Sequence, residues 1–194
     1  MDFPQRRRLK RMTHPFDGTR RQFLQIGLTT VACGIAAPAL ASVPHVKGIR
    51  SLAFHNLHTD EKLRVAYCEN GIYNRAALAK INHVMRDHYS GDACQMNVRL
   101  MDLLYDLQHR VHNDRPIEII SAYRSPKTNL RLASLSDGVA KNSYHTKGMA
   151  IDIRMEGTSL MKIHNTALDM RRGGVGYYPD SEFVHVDVGP LRRW

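Results

Sequence analysis

Long apolar runs are scarce in this chain, and so are cysteines and acids. The most apolar stretch, Ile26 to Ala37, is about half of the roughly 20 residues that a membrane-spanning helix needs, so no stable membrane span is expected. Three cysteines occur in 194 residues. Cys33 lies in the N-terminal segment, leaving Cys68 and Cys94, whose spacing fits no zinc-finger pattern. That pair is either one disulfide or two small buried thiols. No internal repeat and no long low-complexity stretch is present, which excludes solenoid architectures. Acids number 18 against 28 Lys and Arg, a net charge of +10.

The N-terminus accounts for much of that imbalance. Thr19-Arg20-Arg21-Gln22-Phe23-Leu24 is a twin-arginine pattern, the apolar stretch follows, and Ala39-Leu40-Ala41 fits an A-x-A cleavage site. Residues 1–41 therefore read as a twin-arginine signal peptide, and residues 42–194 as one exported, periplasmic domain. Thr30, not a leucine, stands three residues before Cys33, so no lipid anchor is expected there. The first 41 residues hold seven of the 28 basic and two of the 18 acidic residues, so the remainder carries +5. A nucleic-acid partner thereby loses most of its electrostatic support and is not expected. An anionic polymer still suits so basic a surface.

The rest of the chain divides into recognisable elements. Leu52-Phe54 and Leu63-Val65-Tyr67 alternate around Thr59-Asp60-Glu61-Lys62, the pattern of a hairpin with a polar turn, on which His55 and His58 are exposed. Ala77, Leu78, Ile81, Val84 and Met85 mark one amphipathic helix, and Leu100, Leu103, Leu104, Leu107 and Val111 a second. Their His83, His88, His109 and His112 read as solvated residues. Ile117–Ser121 reads as a strand, followed by a helix with Ser125 as N-cap and Pro126 in its first turn. A loop, Ser136–Thr146, delivers His145 to a strand over Met149–Met155. A helix from Ser159 to Met170, carrying His164 as a bystander, precedes two last strands, 175–178 and 183–188. The sum is a single α+β domain with a small, mostly antiparallel sheet and packed helices, expected to be a monomer.

Two runs carry the chemistry: S-Y-H-T-K-G-M-A-I-D from Ser143 to Asp152, and F-V-H-V-D from Phe183 to Asp187. Side chains alternate along a strand, so Asp152 shares a polar face with Ala150 and Arg154, while His185 shares one with Phe183 and Asp187. The opposite faces, Met149-Ile151-Ile153 and Val184-Val186-Val188, are wholly apolar. If the two strands pair, Asp152 and His185 meet, and His145 arrives from the loop, with Gly148 giving a sharp turn and room beside a metal. Two imidazoles, one carboxylate and an open position describe a catalytic zinc site, which lowers the pKa of bound water to about 7. A proton shuttle is also needed. Asp187 shares the face of His185 and is preferred; Glu182 competes, although regular alternation turns it away unless the chain kinks after Pro179-Asp180. Either could instead orient a ligand histidine. Arg124, at a strand end, could grip a substrate carboxylate or carbonyl oxygen, or form a structural ion pair. Tyr177 and Tyr178 line a cleft or pack in the core.

S-A-Y-R-S, H-T-K-G-M-A-I-D and G-V-G-Y-Y-P-x-S-x-F-V-H-V-D-V-G together resemble the exported, DUF882-type branch of the M15 zinc peptidases, across nearly all of residues 42–194. The resemblance implies a fold like those of hedgehog and the D-Ala-D-Ala peptidases. It implies one Zn2+ on the positions of His145, Asp152 and His185, and hydrolysis of peptide bonds in peptidoglycan. In other M15 branches the acid three residues before the last histidine is the general base, which favours Glu182 over the strand-phase choice of Asp187. The expectation is a zinc-dependent cross-link (murein) endopeptidase. The alternatives are a D,D-carboxypeptidase or a non-catalytic peptidoglycan-binding module of the same fold.

Overall fold

The computed structural model describes residues 48–135 and 138–194; the twin-arginine pattern, the cleavage site and Cys33 lie outside them. The predicted hairpin forms from β1 (Ile49–Asn56) and β2 (Lys62–Glu69), which pair antiparallel. Its turn is fixed by buried Asn56. The side-chain carbonyl accepts from the backbone N–H groups of His58 (2.9 Å) and Thr59 (3.3 Å). The amide donates to the carbonyl of Val84 at 2.9 Å. One side chain thus sets the turn and ties it to the end of α1 (Arg75–Val84).

Each helix starts on a polar cap, which satisfies N–H groups that have no intrahelical partner. Asn74 caps α1, Asn97 caps α2 (Val98–Arg110) and Ser159 caps α4 (Leu160–Met170). At α3 (Pro126–Leu135), Ser125 Oγ accepts from Thr128 N at 3.2 Å, and Pro126 occupies the first turn as its fixed φ favours.

The remaining strands are β3 (Ile72–Tyr73), β4 (Ile117–Ser121), β5 (Ala150–Met155), β6 (Gly174–Tyr178), β7 (Phe183–Asp187) and β8 (Arg192–Arg193). They complete one eight-stranded sheet in the order β3-β2-β1-β4-β5-β7-β6-β8. The α+β class holds, but the sheet is larger than expected and mixed: β1–β4 and β6–β8 run parallel, the other neighbours antiparallel. The helical passage through α1 and α2 brings the chain back so that β4 enters beside β1 in the same direction. β3 and β8 hold two residues each, too few to show an alternation.

One sheet face is apolar, carrying Phe54, Ile117, Ile119, Ile151, Ile153, Val184 and Val186. Leu100, Leu104 and Leu107 of α2 and Ile163 and Ala167 of α4 join them in one core. Each large aliphatic side chain buried there contributes roughly 1.5–3 kcal/mol relative to exposure. This layer pins the register of β5 and β7, and the register places the polar groups on the other face.

Candidate metal centre

The β5–β7 ladder pairs Ile151 with Val186, Ile153 with Val184, and Asp152 with His185. A slip of one residue would turn the valines into water and the carboxylate into the core, so the apolar face enforces the Asp152–His185 meeting. His145 comes not from an irregular loop but from a capped 3-10 turn, Tyr144–Lys147. Ser143 Oγ accepts from His145 N at 3.3 Å, and Thr146 Oγ1 donates to the carbonyl of Ser143 at 2.7 Å. Gly148 ends the turn in left-handed backbone, φ 63°. The space beside it holds Cys94 Sγ and the Gln95 carbonyl, each 2.8 Å from where a Cβ would stand, rather than room for a metal.

Three ligand atoms converge. His145 Nε2 lies 3.1 Å from His185 Nδ1, His185 Nδ1 lies 2.8 Å from Asp152 Oδ1, and His145 Nε2 lies 3.2 Å from the same oxygen. All three residues are buried. The outer ring nitrogens assign the tautomers: His145 Nδ1–H donates to the carbonyl of Ala122 at 2.6 Å, and His185 Nε2–H to Asp187 Oδ2 at 3.1 Å. Both inner nitrogens then present lone pairs to each other and to a carboxylate. Such an arrangement repels unless a cation or a proton sits among them. Bonds of about 2.0–2.1 Å in a tetrahedron put ligand atoms about 3.3 Å apart, close to these edges, so the residues fit a metal ion. Among the described residues, no other group of three His, Cys, Asp or Glu converges in this way.

The electrostatics agree. Burial opposes the charge of Asp152, but the neighbouring imidazoles of His145 and His185 outweigh it and hold the carboxyl far below its usual range. Burial pushes His145 down. It also opposes a charged His185, yet hydrogen bonds to Asp152 and Asp187 raise that imidazole above its usual value. The pocket therefore favours one positive charge between the two histidines and the carboxylate.

The two candidate shuttles are placed very differently. Asp187 is fully buried beside His185, on the ring nitrogen facing away from the triad. Its Oδ1 accepts from the backbone N–H groups of Gly174 (2.9 Å) and Gly189 (2.8 Å), and Arg192 pairs with Oδ2. Burial opposes its charge, but the bonds from His185 and the two glycines keep it below the ordinary carboxylate range. Glu182 is exposed in left-handed backbone, φ 53°. That kink breaks the alternation and turns the side chain onto Arg154 at 3.2 Å, a residue on the face that carries Asp152. Arg124 Nη2 donates to Asp152 Oδ2 at 2.6 Å and Nε to Ser121 Oγ at 2.8 Å. The guanidinium thus forms the ion pair, and it also borders the cleft.

That cleft, about 350 Å3, opens over the triad and is walled by Ser143, Tyr144, Tyr178, Phe183, Arg192 and Trp194. Arg192 and Trp194 had no signal in the sequence, being brought in by a two-residue strand. Elsewhere the disulfide alternative fails: Cys68 and Cys94 are both free, Cys68 Sγ meeting Arg50 Nη2 at 2.8 Å. Several other histidines are engaged rather than merely solvated: His58 stacks on His88 at 3.7 Å, and His55 meets Asp60 at 2.6 Å.

Comparison with known proteins places this geometry. A profile of the family described as "Peptidase_M15_2: Peptidoglycan L,D-endopeptidase MepK" matches residues 45–194. The chain is 43% identical over 180 residues to Peptidoglycan L,D-endopeptidase MepK of Escherichia coli K12, covering 92% of this chain and 98% of that protein. The same figures hold for the protein of that name from Shigella flexneri. Probable peptidoglycan L,D-endopeptidase MepK of Haemophilus influenzae is 37% identical over 179 residues, covering 92% of this chain and 96% of its own. Sequence and site agree: this chain belongs to the Peptidase_M15_2 family of M15 peptidases.

Proposed function

We propose that this chain is an exported, zinc-dependent endopeptidase that cuts L,D peptide bonds in peptidoglycan cross-links. The observation that carries the reading is the triangle of lone pairs from His145, Asp152 and His185 at the base of an open cleft. Two histidines and one carboxylate leave a coordination position free, the pattern of catalytic rather than structural zinc. The names of the relatives supply the substrate class and the L,D bond type. Export rests on the twin-arginine pattern of residues 19–24, and a periplasmic location follows from it. No helix among the described residues is long and apolar enough to cross a membrane. The hedgehog-like architecture belongs to the same reading.

Zinc in this site supplies Lewis-acid activation of water and of the scissile carbonyl. The protein's own groups do the rest. Ala122 O and Asp187 fix the two imidazoles with their inner nitrogens bare, and Arg124 holds Asp152 by its outer oxygen. Arg124 Nη1 has no protein partner among the described residues and is the nitrogen available to a substrate oxygen. Proton transfer falls to Glu182, reversing the preference drawn from strand phase. Asp187 accepts from two backbone N–H groups, Arg192 and His185, so its lone pairs are taken and its basicity is low. Glu182 stands between Ser181 and Phe183 of the cleft wall and, among the described residues, is paired to Arg154 alone. Its position three residues before His185 is that of the general base in other M15 branches, so the transfer of the proton to the leaving amine is assigned to it.

The relatives are named endopeptidases, which favours cross-link cleavage over the carboxypeptidase alternative. Digesting purified sacculi with the zinc-loaded protein and identifying products by mass spectrometry tests the assignment. Split L,D cross-links are expected. Release of single terminal residues would favour the carboxypeptidase, and binding without products the non-catalytic module.

A further inference from the structure

Two glycines near the site make room for aromatic rings rather than for a special backbone. A Cβ on Gly176 would stand 2.6 Å from the indole of Trp194, and one on Gly189 would stand 2.6 Å from the ring of Tyr144. Neither glycine is in the left-handed region, so what each position needs is the missing side chain. Arg192 lies between the two rings, 4.8 Å from the centroid of Tyr144 and 5.4 Å from that of Trp194. Trp194 Nε1–H donates to Tyr178 Oη at 2.6 Å, and Tyr178 stacks on Phe183 at 4.5 Å. These five side chains form a continuous wall of the cleft over the triad.

Trp194 lies close to the chemistry. Its backbone is bonded into β6, Trp194 N to Val175 O at 3.2 Å and Tyr177 N to Trp194 O at 3.1 Å. Gly176, on which the indole lies, is the register partner of His185. The indole centroid is therefore only 5.2 Å from the imidazole of His185. Held from below, at its nitrogen and by its backbone, the indole still leaves the residue 49% exposed. The exposed part of the ring therefore faces whatever enters the cleft beside His185.

We propose that the Trp194 indole is the substrate-positioning wall of this cleft, taking the residue next to the scissile bond against the part of the ring that stays exposed. The inference rests on the endopeptidase reading. It names the peptide rather than the glycan as the occupant, because an extended chain spans only about 3.3–3.6 Å per residue. A ring 5.2 Å from His185 thus reaches no further than the first or second residue from the cut bond.

The test uses the zinc-loaded protein, cross-linked muropeptides, and the same peptides freed of sugar. Trp194→Ala is expected to lower kcat/KM by roughly 10–100-fold on both substrates, mainly through KM, with one zinc still bound. Trp194→Phe should recover most of it. Gly176→Ala, which keeps the indole but displaces it, should reproduce the loss. The chain has a single tryptophan, so titrating stem peptide into the unaltered protein should shift its fluorescence. Unchanged kcat/KM in Trp194→Ala and Gly176→Ala, or a loss confined to the sugar-bearing substrate, overturns the proposal. A Trp194→Ala chain that fails to fold leaves Gly176→Ala and the fluorescence titration to decide. No cleavage by the zinc-loaded unaltered protein removes the endopeptidase reading itself, and this inference with it.

Discussion

Asp152 and His185 face each other across the β5–β7 ladder, with Oδ1 of the carboxylate 2.8 Å from Nδ1 of the imidazole. Apolar residues on the reverse of both strands impose that pairing, so the site's geometry is a by-product of core register. Its chemistry depends on the groups behind it.

Asp187 and Glu182 should separate cleanly. Asp187→Asn removes a charged acceptor from His185 Nε2 and should weaken zinc affinity about 10–100-fold, as loss of such outer partners does. Glu182→Gln should leave zinc affinity unchanged and lower kcat about 10²–10⁴-fold, the range of general acid–base catalysis. Chelator competition and steady-state kinetics on one muropeptide read both. Loss of kcat in Asp187→Asn at full zinc occupancy, with Glu182→Gln fully active, would return the shuttle to Asp187.

Arg124→Ala strands one oxygen of a buried carboxylate, since among the described residues Asp152 Oδ2 has no donor but Arg124 Nη2 at 2.6 Å. Removing one partner of a buried pair costs about 3–5 kcal/mol, and urea unfolding of the metal-free protein measures it. Saturating zinc should restore part of the loss, because binding to the folded state alone adds stability.

Gly148→Ala should destabilise by about 1–3 kcal/mol, the cost of left-handed backbone in a residue with a side chain. The added Cβ also meets Cys94 Sγ and Gln95 O, so the turn carrying His145 must shift. Lower zinc affinity should accompany the lower Tm.

Acid sensitivity has a source away from the metal centre. Burial opposes the charge of Asp87, but hydrogen bonds from Thr128 and from the backbone N–H groups of Ser125 and Tyr89 outweigh it and hold the carboxyl far below its usual value. A depressed folded pKa means stability that is present above the unfolded value of about 3.9 and lost as pH falls below it. Asp87→Asn should cost about 1–3 kcal/mol at neutral pH and flatten the fall in stability between about pH 5 and 3. Urea midpoints across that range check the slope.

Much of this was legible in the sequence, for stated reasons. Period-two alternation put Asp152 and His185 on polar faces backed by Ile151, Ile153, Val184 and Val186, and paired strands then had one register. Ser125-Pro126 announced its helix by capping chemistry. Contacts between distant segments were not legible. Nothing local says that Gly174, Gly189 and Arg192 close around Asp187, which is why shuttle and orienter of His185 both stayed open for it in the sequence. The positive φ of Glu182 likewise broke an alternation that the sequence shows as regular. The parallel β1–β4 pairing and the arrival of Trp194 through β8 are matters of topology, on which residue periodicity is silent.

The central claim is that His145, Asp152 and His185 hold one zinc that peptidoglycan cleavage requires. Titrating zinc into the metal-free protein while following release of soluble fragments from sacculi tests it most directly. Activity should rise with zinc and saturate at one ion per chain, and His145→Ala and Asp152→Ala should lose tight binding and cleavage together. Full cleavage by the metal-free protein, or stoichiometric zinc retained in both variants, would contradict the account.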